Sequence, residues 1–331
     1  MSPAAAQTVR DNLQDRRQRL VHLTEIVEPA SDLVRLLGEV DSALDRLDGT
    51  DFDECVFCQE QMVEEIERHP MGRYCLCELD AAQIRALEQD LEMAWSIQAG
   101  LLPAHDLRSG DWLSHYRYLP AGPVSGDVVD LVCDGRGALH FLLGDVAGKG
   151  VSAALLMAHL AATYRALIRD GLPLDALMVR INAELTRRTD PGRHATLVVG
   201  VARPNGEIDL VNAGHVPPLV VGAAGTEAIG ATGVPAGLFP DSSYAVERRR
   251  LNPGESLVLY TDGLVESTDS GDNEFGIDGL RAVASRWSAL DAPGLAAAAL
   301  SAVTAHRGGS ARTDDETLLV IRRDGNQYAA A

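Results

Sequence analysis

The most constraining feature of this chain is an apolar run that ends on an aspartate and turns at once into a glycine-rich loop: Leu142-Leu-Gly-Asp-Val-Ala-Gly-Lys-Gly-Val-Ser-Ala-Ala-Leu-Leu156. Leu139 to Leu143 reads as a buried strand, and the small-residue stretch from Gly150 reads as a helix. A carboxylate at the end of a buried strand is costly to keep unless something pairs with it. Mg²⁺ and Mn²⁺ suit it, because hard cations select carboxylate and carbonyl oxygens. Asp145 is the first candidate ligand, and its companions must come from elsewhere in the chain. The stretch is one residue short of a phosphate-binding P-loop, and Gly150 stands where Ser or Thr would hold Mg²⁺. Ser152 lacks the Gly-x-Ser-x-Gly frame of a serine hydrolase.

At 331 residues the chain has room for roughly two domains. A net charge of −19 disfavours nucleic acid as a direct partner, since phosphate binding needs clustered bases. Lys149 is the single lysine, and it lies inside the organising turn. No run approaches the roughly 18 apolar residues of a membrane span. The first residues, Met1-Ser-Pro-Ala-Ala-Ala-Gln, lack the basic and apolar regions of a signal peptide, so a cytoplasmic protein with no membrane contact is expected.

Leu13, Leu20, Leu23 and Val27 recur at helical spacing, and a second stripe runs from Leu33 through Val40 and Leu44 to Leu47. Two antiparallel helices broken at Glu28-Pro-Ala-Ser31 are the simplest picture. Four of the five cysteines follow, as Cys55-x-x-Cys58 and Cys75-x-Cys77. Two close thiol pairs suit tetrahedral Zn²⁺, with His69 able to replace Cys77. Cys133 stands alone in a strand-like run and is expected to be a small core residue. Ile84, Leu87, Leu91, Ala94, Gln98 and Leu101 then follow a 3-4 spacing. That spacing fits either a docked amphipathic helix or a short coiled coil through which two copies would dimerise. Pro103 ends it. The expected organisation is a helical hairpin with a zinc knuckle over 1–80, a connecting helix over 81–102, a larger domain over 103–325 and a tail over 326–331.

Beyond Pro103, strands are expected at about 113–119, 127–133, 138–144, 194–202, 207–212, 217–222, 244–250, 256–261 and 316–322. Helices are expected at 150–168, 174–188, 277–287 and 295–306. Strands grouped together with helices grouped between them indicate an α+β fold. Acids stand at strand ends beside small or turn residues: Asp127 after Ser125-Gly126, Asp145, Asp262 before Gly263, and the pair Asp314-Asp315 before the last strand. Any one of them is an ordinary turn cap. Four acids drawn from four places supply what a two-metal site requires, in which paired cations activate water for in-line attack on phosphorus and neutralise the phosphoryl oxygens. His215, in Asn212-Ala-Gly-His, is either an acid or phosphate contact or a turn-stabilising residue. Lys149 reads equally as a phosphate contact or a solvated turn lysine.

Seven segments occur in order: Ile97-Gln98-x-x-Leu-Leu-Pro103, Ser125-Gly-Asp-Val-Val-Asp130, Gly144-Asp-Val-Ala-Gly-Lys-Gly150, Asn212-Ala-Gly-His-x-Pro-Pro218, Leu259-Tyr-Thr-Asp-Gly-Leu-Val-Glu266, Phe275-Gly276 and Asp314-Asp-Glu-Thr-Leu-Leu-Val320. Together they resemble the RsbU/SpoIIE-type branch of the metal-dependent type 2C protein serine/threonine phosphatases (PPM family). The resemblance implies a four-layer α-β-β-α sandwich with two Mn²⁺ or Mg²⁺ ions between the sheets. By motif position it implies Asp127, Asp145, Asp262 and Asp314 as ligands, with the Val146 carbonyl completing one metal. Asp314 is preferred to Asp315 because the family's ligand lies three residues before the threonine. It further implies a phosphorylated STAS-domain anti-sigma-factor antagonist as substrate. One departure is Val128-Val129 where the family often carries a tyrosine.

Leu44-Asp-Arg-Leu-Asp-Gly-Thr50, Cys55-x-x-Cys58, Glu65-Ile-Glu-Arg68, Pro70 and Cys75 resemble the TraR/DksA zinc finger, which implies Cys55, Cys58, Cys75 and Cys77 as zinc ligands. An upstream activator is expected on this module because the phosphatase branch commonly carries a sensor or partner-binding segment ahead of the helix that enters the catalytic domain. Here the second pair is Cys-x-Cys instead of Cys-x-x-Cys. Rival classes of function are a non-catalytic docking protein of the same fold and a transcription modulator acting through the zinc module. The four acids weigh against the first. The second is weakened because the hairpin is short and its turn, Glu28-Pro-Ala-Ser31, carries no acidic tip motif of that family.

Overall fold

The computed structural model describes residues 3–24, 31–47, 77–188, 192–310 and 312–324. The chain divides into two compact units, Met1–Ile97 and Gln98–Ala331. In the first, α1 (Pro3–Thr24) and α2 (Ser31–Leu47) bury Leu13, Leu20 and Leu23 on one helix and Leu33, Leu36, Val40 and Ala43 on the other. All but Ala43 belong to the stripes expected from the sequence, which have half-buried Leu44 in its place, and Val27 lies outside the described residues. Arg17 Nε to Asp41 Oδ1 at 2.7 Å links the two helices at the surface. α3 (Cys77–Leu101) starts in the first unit and ends in the second. Cys55, Cys58, His69 and Cys75 lie outside the described residues. Cys77 opens α3.

The second unit continues with β1 (Asp106–Ser109), β2 (Trp112–Leu119), β3 (Asp127–Cys133), β4 (Leu139–Val146), α4 (Gly150–Leu167) and α5 (Leu174–Arg188). Next come β5 (Ala195–Ala202), β6 (Glu207–Ala213), β7 (Leu219–Gly222), β8 (Gly225–Ala228), β9 (Glu247–Arg250) and β10 (Ser256–Tyr260). The unit closes with α6 (Asp262–Val265), α7 (Gly276–Arg286), α8 (Ala292–Arg307) and β11 (Glu316–Arg323). The strands form two antiparallel sheets, ordered β1-β2-β11-β10-β7-β8 and β3-β4-β5-β6-β9.

Neither sheet has a solvated central face. On the five-stranded sheet Val128, Leu142, Val199 and Val211 pack against Met157 and Leu160 of α4 and Leu177 and Ile181 of α5. On the six-stranded sheet Leu219, Val258, Leu318 and Val320 pack against α7 and α8 through Leu280, Ala284, Leu295 and Ala299. Strand residues alternate faces, and the intervening positions (Val129, Phe141 and Leu143; Leu257, Leu259, Leu319 and Ile321) are equally buried. The two sheets therefore stack between two helix layers. Each fully buried aliphatic side chain contributes about 1.5–3 kcal/mol, and the near-continuous apolar runs follow from burial on both faces.

Among the described helices α4 is the one long and apolar enough by composition to cross a membrane. Here it lies on the sheet, burying Ala153, Met157, Leu160, Ala161 and Tyr164. Two strands and a helix were invisible to pattern reading: β1, β8 and α6 are four residues each, too short for a period to register. Cys133 corrects the sequence reading. It ends β3 in solvent instead of entering the core, because the strand runs out of the sandwich at that point.

Candidate active site

The register of β3 against β4 sets Asp127 directly opposite Asp145, so two acids distant in sequence become lateral neighbours at one end of the five-stranded sheet. The other acids arrive from the facing sheet. β10 ends at Tyr260, Thr261 follows, and Asp262 is the first residue of α6. Asp314 and Asp315 immediately precede β11. The two sheets are stitched at this point by a buried carboxylate. Asp127, 1% exposed, accepts hydrogen bonds at Oδ2 from Thr261 Oγ1 (2.9 Å) and from Thr317 Oγ1. Thr317 N donates in turn to Thr261 Oγ1 at 2.9 Å, so the threonine array is held by β11 itself.

Two glycines let the acid-bearing segments close up. A Cβ on Gly126 would lie 3.1 Å from the Val146 carbonyl oxygen and 3.3 Å from Asp145 Oδ1, so a side chain there would crowd both by a few tenths of an ångström. A Cβ on Gly263 would collide with the Asp315 carbonyl oxygen and stand 3.1 Å from Asp314 Cβ. The Asp-Gly pairing at 262–263 is thus a packing requirement.

Asp314 and Asp315 behave differently. Asp315 is consumed by protein donors: Ala121 N to Oδ1 at 2.8 Å, with Ser125 Oγ (2.7 Å) and Gly126 N (3.1 Å) to Oδ2. It pins the loop that leads into Asp127. Asp314 is half-exposed, accepts from Asp315 N at 2.9 Å, and has Oδ2 3.1 Å from Lys149 Nζ. Gln98 supports the same loop with both amide atoms, donating to Ser125 O (2.7 Å) and accepting from Ser125 N (3.0 Å).

Burial raises the Asp145 carboxyl to about 7, and the charges of Asp262, Asp314 and Asp315 push the same way. Asp127 is raised well above the ordinary carboxylate range by burial and by Asp315 and Asp145, against the two threonine bonds. Asp262 is raised by burial and Asp314, and Glu266 by burial and Asp262. These are carboxylates that burden one another, the charge pattern a divalent cation relieves. Among the described residues no three His, Cys, Asp or Glu side chains converge on one point as they stand. The oxygens instead face protein donors: Asp262 Oδ1 accepts from Gly263 N, Asp314 faces Lys149, and Asp127 takes the threonines. The donor set is all hard oxygen, which fits Mg²⁺ or Mn²⁺ and not a soft metal.

His215 is a clamp between the sheets. The Tyr260 carbonyl, 3.0 Å from Nε2, can only accept, so Nε2 carries the proton; Nδ1 accepts from Thr196 Oγ1 at 2.7 Å. Burial lowers its pKa to about 4, so the ring is neutral and fully engaged. Asp130 points away from the acid cluster, is fully buried, and is held bidentately by Arg165 at 2.6 and 2.9 Å. Arg165 also donates to the Leu101 carbonyl at 2.9 Å. Nothing in the sequence pattern pointed to Arg165, and Ser125, Thr261 and Thr317 stood in the motifs without a role, because their roles depend on contacts across the sheets. A cavity of about 1460 Å³ lies at the other end of β3 and β4 beside Cys133, His140, Tyr164 and Arg203, away from the acids.

A family model described as Stage II sporulation protein E (SpoIIE) matches residues 135–324. Among curated proteins, "Phosphoserine phosphatase RsbP" of Bacillus subtilis (strain 168) is 28% identical over 191 residues, covering 55% of this chain and 47% of that protein. "Phosphoserine phosphatase RsbU" of the same organism is 24% identical over 193 residues, covering 56% of each. "Protein IcfG" of Synechocystis sp. is 27% identical over 216 residues, covering 56% of this chain and 34% of that protein. The chain thus spans about a third to just over half the length of these relatives. Among solved structures, the RsbU and RsbW domains of Rv1364c from Mycobacterium tuberculosis share 26% identity at a TM-score of 0.59, over 69% of this chain and 63% of that one. The SiaA-PP2C domain of Pseudomonas aeruginosa, at 19% identity and a TM-score of 0.65, covers 74% of this chain and 100% of that domain, and shares the fold.

Proposed function

This chain belongs to the SpoIIE family, and we propose that it is a metal-dependent phosphoprotein phosphatase that hydrolyses phosphoserine or phosphothreonine. The observation that carries the reading is that the charges of Asp262 and Asp314, from the facing sheet, bear on Asp145, which stands opposite Asp127 in the ladder and is raised to about 7 chiefly by burial. Those four carboxylates and the Val146 carbonyl are the groups we assign to two Mn²⁺ or Mg²⁺ ions. When bound, the ions supply charge for the phosphoryl oxygens and a water acidic enough to attack phosphorus.

The remaining residues do defined work. Thr261 and Thr317 hold Asp127 in one rotamer by bonding a single oxygen. Asp315 fixes the Ser125-Gly126 loop, and Gln98 backs that loop from α3. His215 ties the end of β10, which leads into Asp262, to Thr196, the strand partner of Asp145. The two halves of the site are thereby kept at one separation.

For the substrate we assign a phosphorylated STAS-domain anti-sigma-factor antagonist in a partner-switching pathway. The support is that relatives bear the names phosphoserine phosphatase RsbP and RsbU. In this reading residues 103–325 are catalytic and residues 81–102 connect to an N-terminal module. That module, with zinc on Cys55, Cys58, Cys75 and Cys77, receives an upstream activator, and a homodimer through the connecting helix transmits the signal.

The test is Mn²⁺-dependent phosphate release from a phosphoserine STAS-domain protein, wild type beside Asp145→Asn. The wild type should release phosphate only with the metal, and the variant should fall to background. Equal metal-stimulated rates in both would end the proposal.

A further inference from the structure

Lys149 is the single lysine of a chain whose other strong bases are all arginine. It stands immediately before α4 with extended backbone, and its ammonium lies 3.1 Å from Asp314 Oδ2 and 3.1 Å from the Thr313 carbonyl oxygen. A carboxylate and a carbonyl are the donors a hard cation takes, so the lysine occupies a metal-like position on Asp314. The pair is weak by construction. The two side chains are 62% and 48% exposed, so water screens the pair and it contributes little to stability. A divalent cation competing for Asp314 displaces it at little cost. Lysine suits such a role better than arginine, being a compact charge on a flexible stem where a guanidinium would grip the carboxylate with two bonds.

A second base marks the same place. Arg193 donates from Nη1 to Ser152 Oγ at 3.1 Å, and a Cβ on Gly148 would stand 3.2 Å from that nitrogen. Arg193 is held there because Ala147 N bonds the His194 carbonyl at 2.9 Å, which ties the loop after Val146 to the start of β5. Two cationic side chains therefore flank the first turn of an 18-residue helix, at the end where free backbone N–H groups and the helix dipole favour an anion. Asp145 lies four residues before Lys149, so an anion held here adjoins the acid cluster.

We propose that Lys149 and Arg193 form the phosphoryl-binding subsite, with Lys149 resting on Asp314 until a divalent cation takes that carboxylate. The inference rests on the phosphatase reading above and names two residues that would grip its substrate.

The uniqueness of Lys149 makes it directly readable. Acetylation of the full-length protein by an N-hydroxysuccinimide ester, followed by peptide mass spectrometry, reports this side chain alone among side-chain amines. Mn²⁺ should raise the Lys149 labelling rate several-fold. Phenylphosphonate, added with Mn²⁺ as a non-hydrolysable phosphate mimic, should return the rate towards its starting value. Arg193→Gln should keep the Mn²⁺ effect and need about tenfold or more phenylphosphonate for the same protection, the loss of one charged hydrogen bond. In turnover, Lys149→Met should raise KM for a phosphoserine protein with kcat little changed, and Lys149→Arg should restore part of the loss. Calorimetric Mn²⁺ binding, run in parallel, separates the two levels of the reading. No Mn²⁺ uptake would remove the phosphatase reading and the subsite together. Mn²⁺ uptake with Lys149 labelling indifferent to metal, or with phenylphosphonate giving no protection, would overturn the subsite alone.

Discussion

The two halves of the acid site are built differently. On the five-stranded sheet, Asp127 and Asp145 are opposed across a regular ladder, and their carboxyls carry the largest upward shifts of the group. On the six-stranded sheet, Asp262 and Asp314 sit where strands have stopped, one opening a four-residue helix and the other in a turn beside a lysine. One half is rigid and costly, the other pliable and cheap. A ladder fixes position but denies water, so its acids carry the desolvation penalty. A turn keeps water, so exposed Asp314 needs only the lysine as counter-charge, while Asp262 at the start of α6 is still raised by burial.

The contrast can be broken in descending order of effect. The largest lies in pH. Asp145 is raised from an ordinary 3.8 to about 7, so the folded metal-free chain holds that proton where the unfolded chain has released it. Its contribution is complete below about pH 4 and is lost as pH rises to about 7, about 4 kcal/mol in all. Metal-free protein should melt at lower temperature at pH 8 than at pH 5, Mn²⁺ should reverse the loss, and Asp145→Asn should flatten the slope. A flat wild-type profile would mean that the rigid half carries no penalty. Next comes Thr317→Val, which keeps shape but strips a donor from buried Asp127. It should cost about 1–3 kcal/mol in denaturant unfolding and weaken Mn²⁺ binding about 10–100-fold in calorimetry. The smallest effect belongs to the pliable half: Asp314→Asn should leave metal-free stability within about 0.5 kcal/mol while still reducing Mn²⁺ affinity. A penalty as large as that of Thr317→Val would erase the distinction between the halves.

How legible each part was in the sequence follows the same division. β3 and α5 begin and end where periodicity puts them, because apolar runs and their glycine or proline stops are local properties. The acids Asp127, Asp145, Asp262 and Asp314 stood out because each lies where a run ends beside a glycine or another turn residue. The separate fates of Asp314 and Asp315 were not legible, since adjacent acids differ only in which one meets Ala121, Ser125 and Gly126 nearly two hundred residues away. His215 was visible as a motif residue with two readings. Only the facing strands β5 and β10 made it a neutral clamp instead of an acid. Cys133 was misread because a strand pattern does not show where the strand leaves the core.

By itself, then, the sequence determined the longer strands and helices of the larger unit and the types of side chain gathered at strand ends, since each depends on residues within a few positions of one another. Tertiary structure alone decided which carboxylate oxygens are occupied by protein donors and which are not. That choice is made by contacts between segments brought together only when the two sheets stack, and no local pattern encodes them.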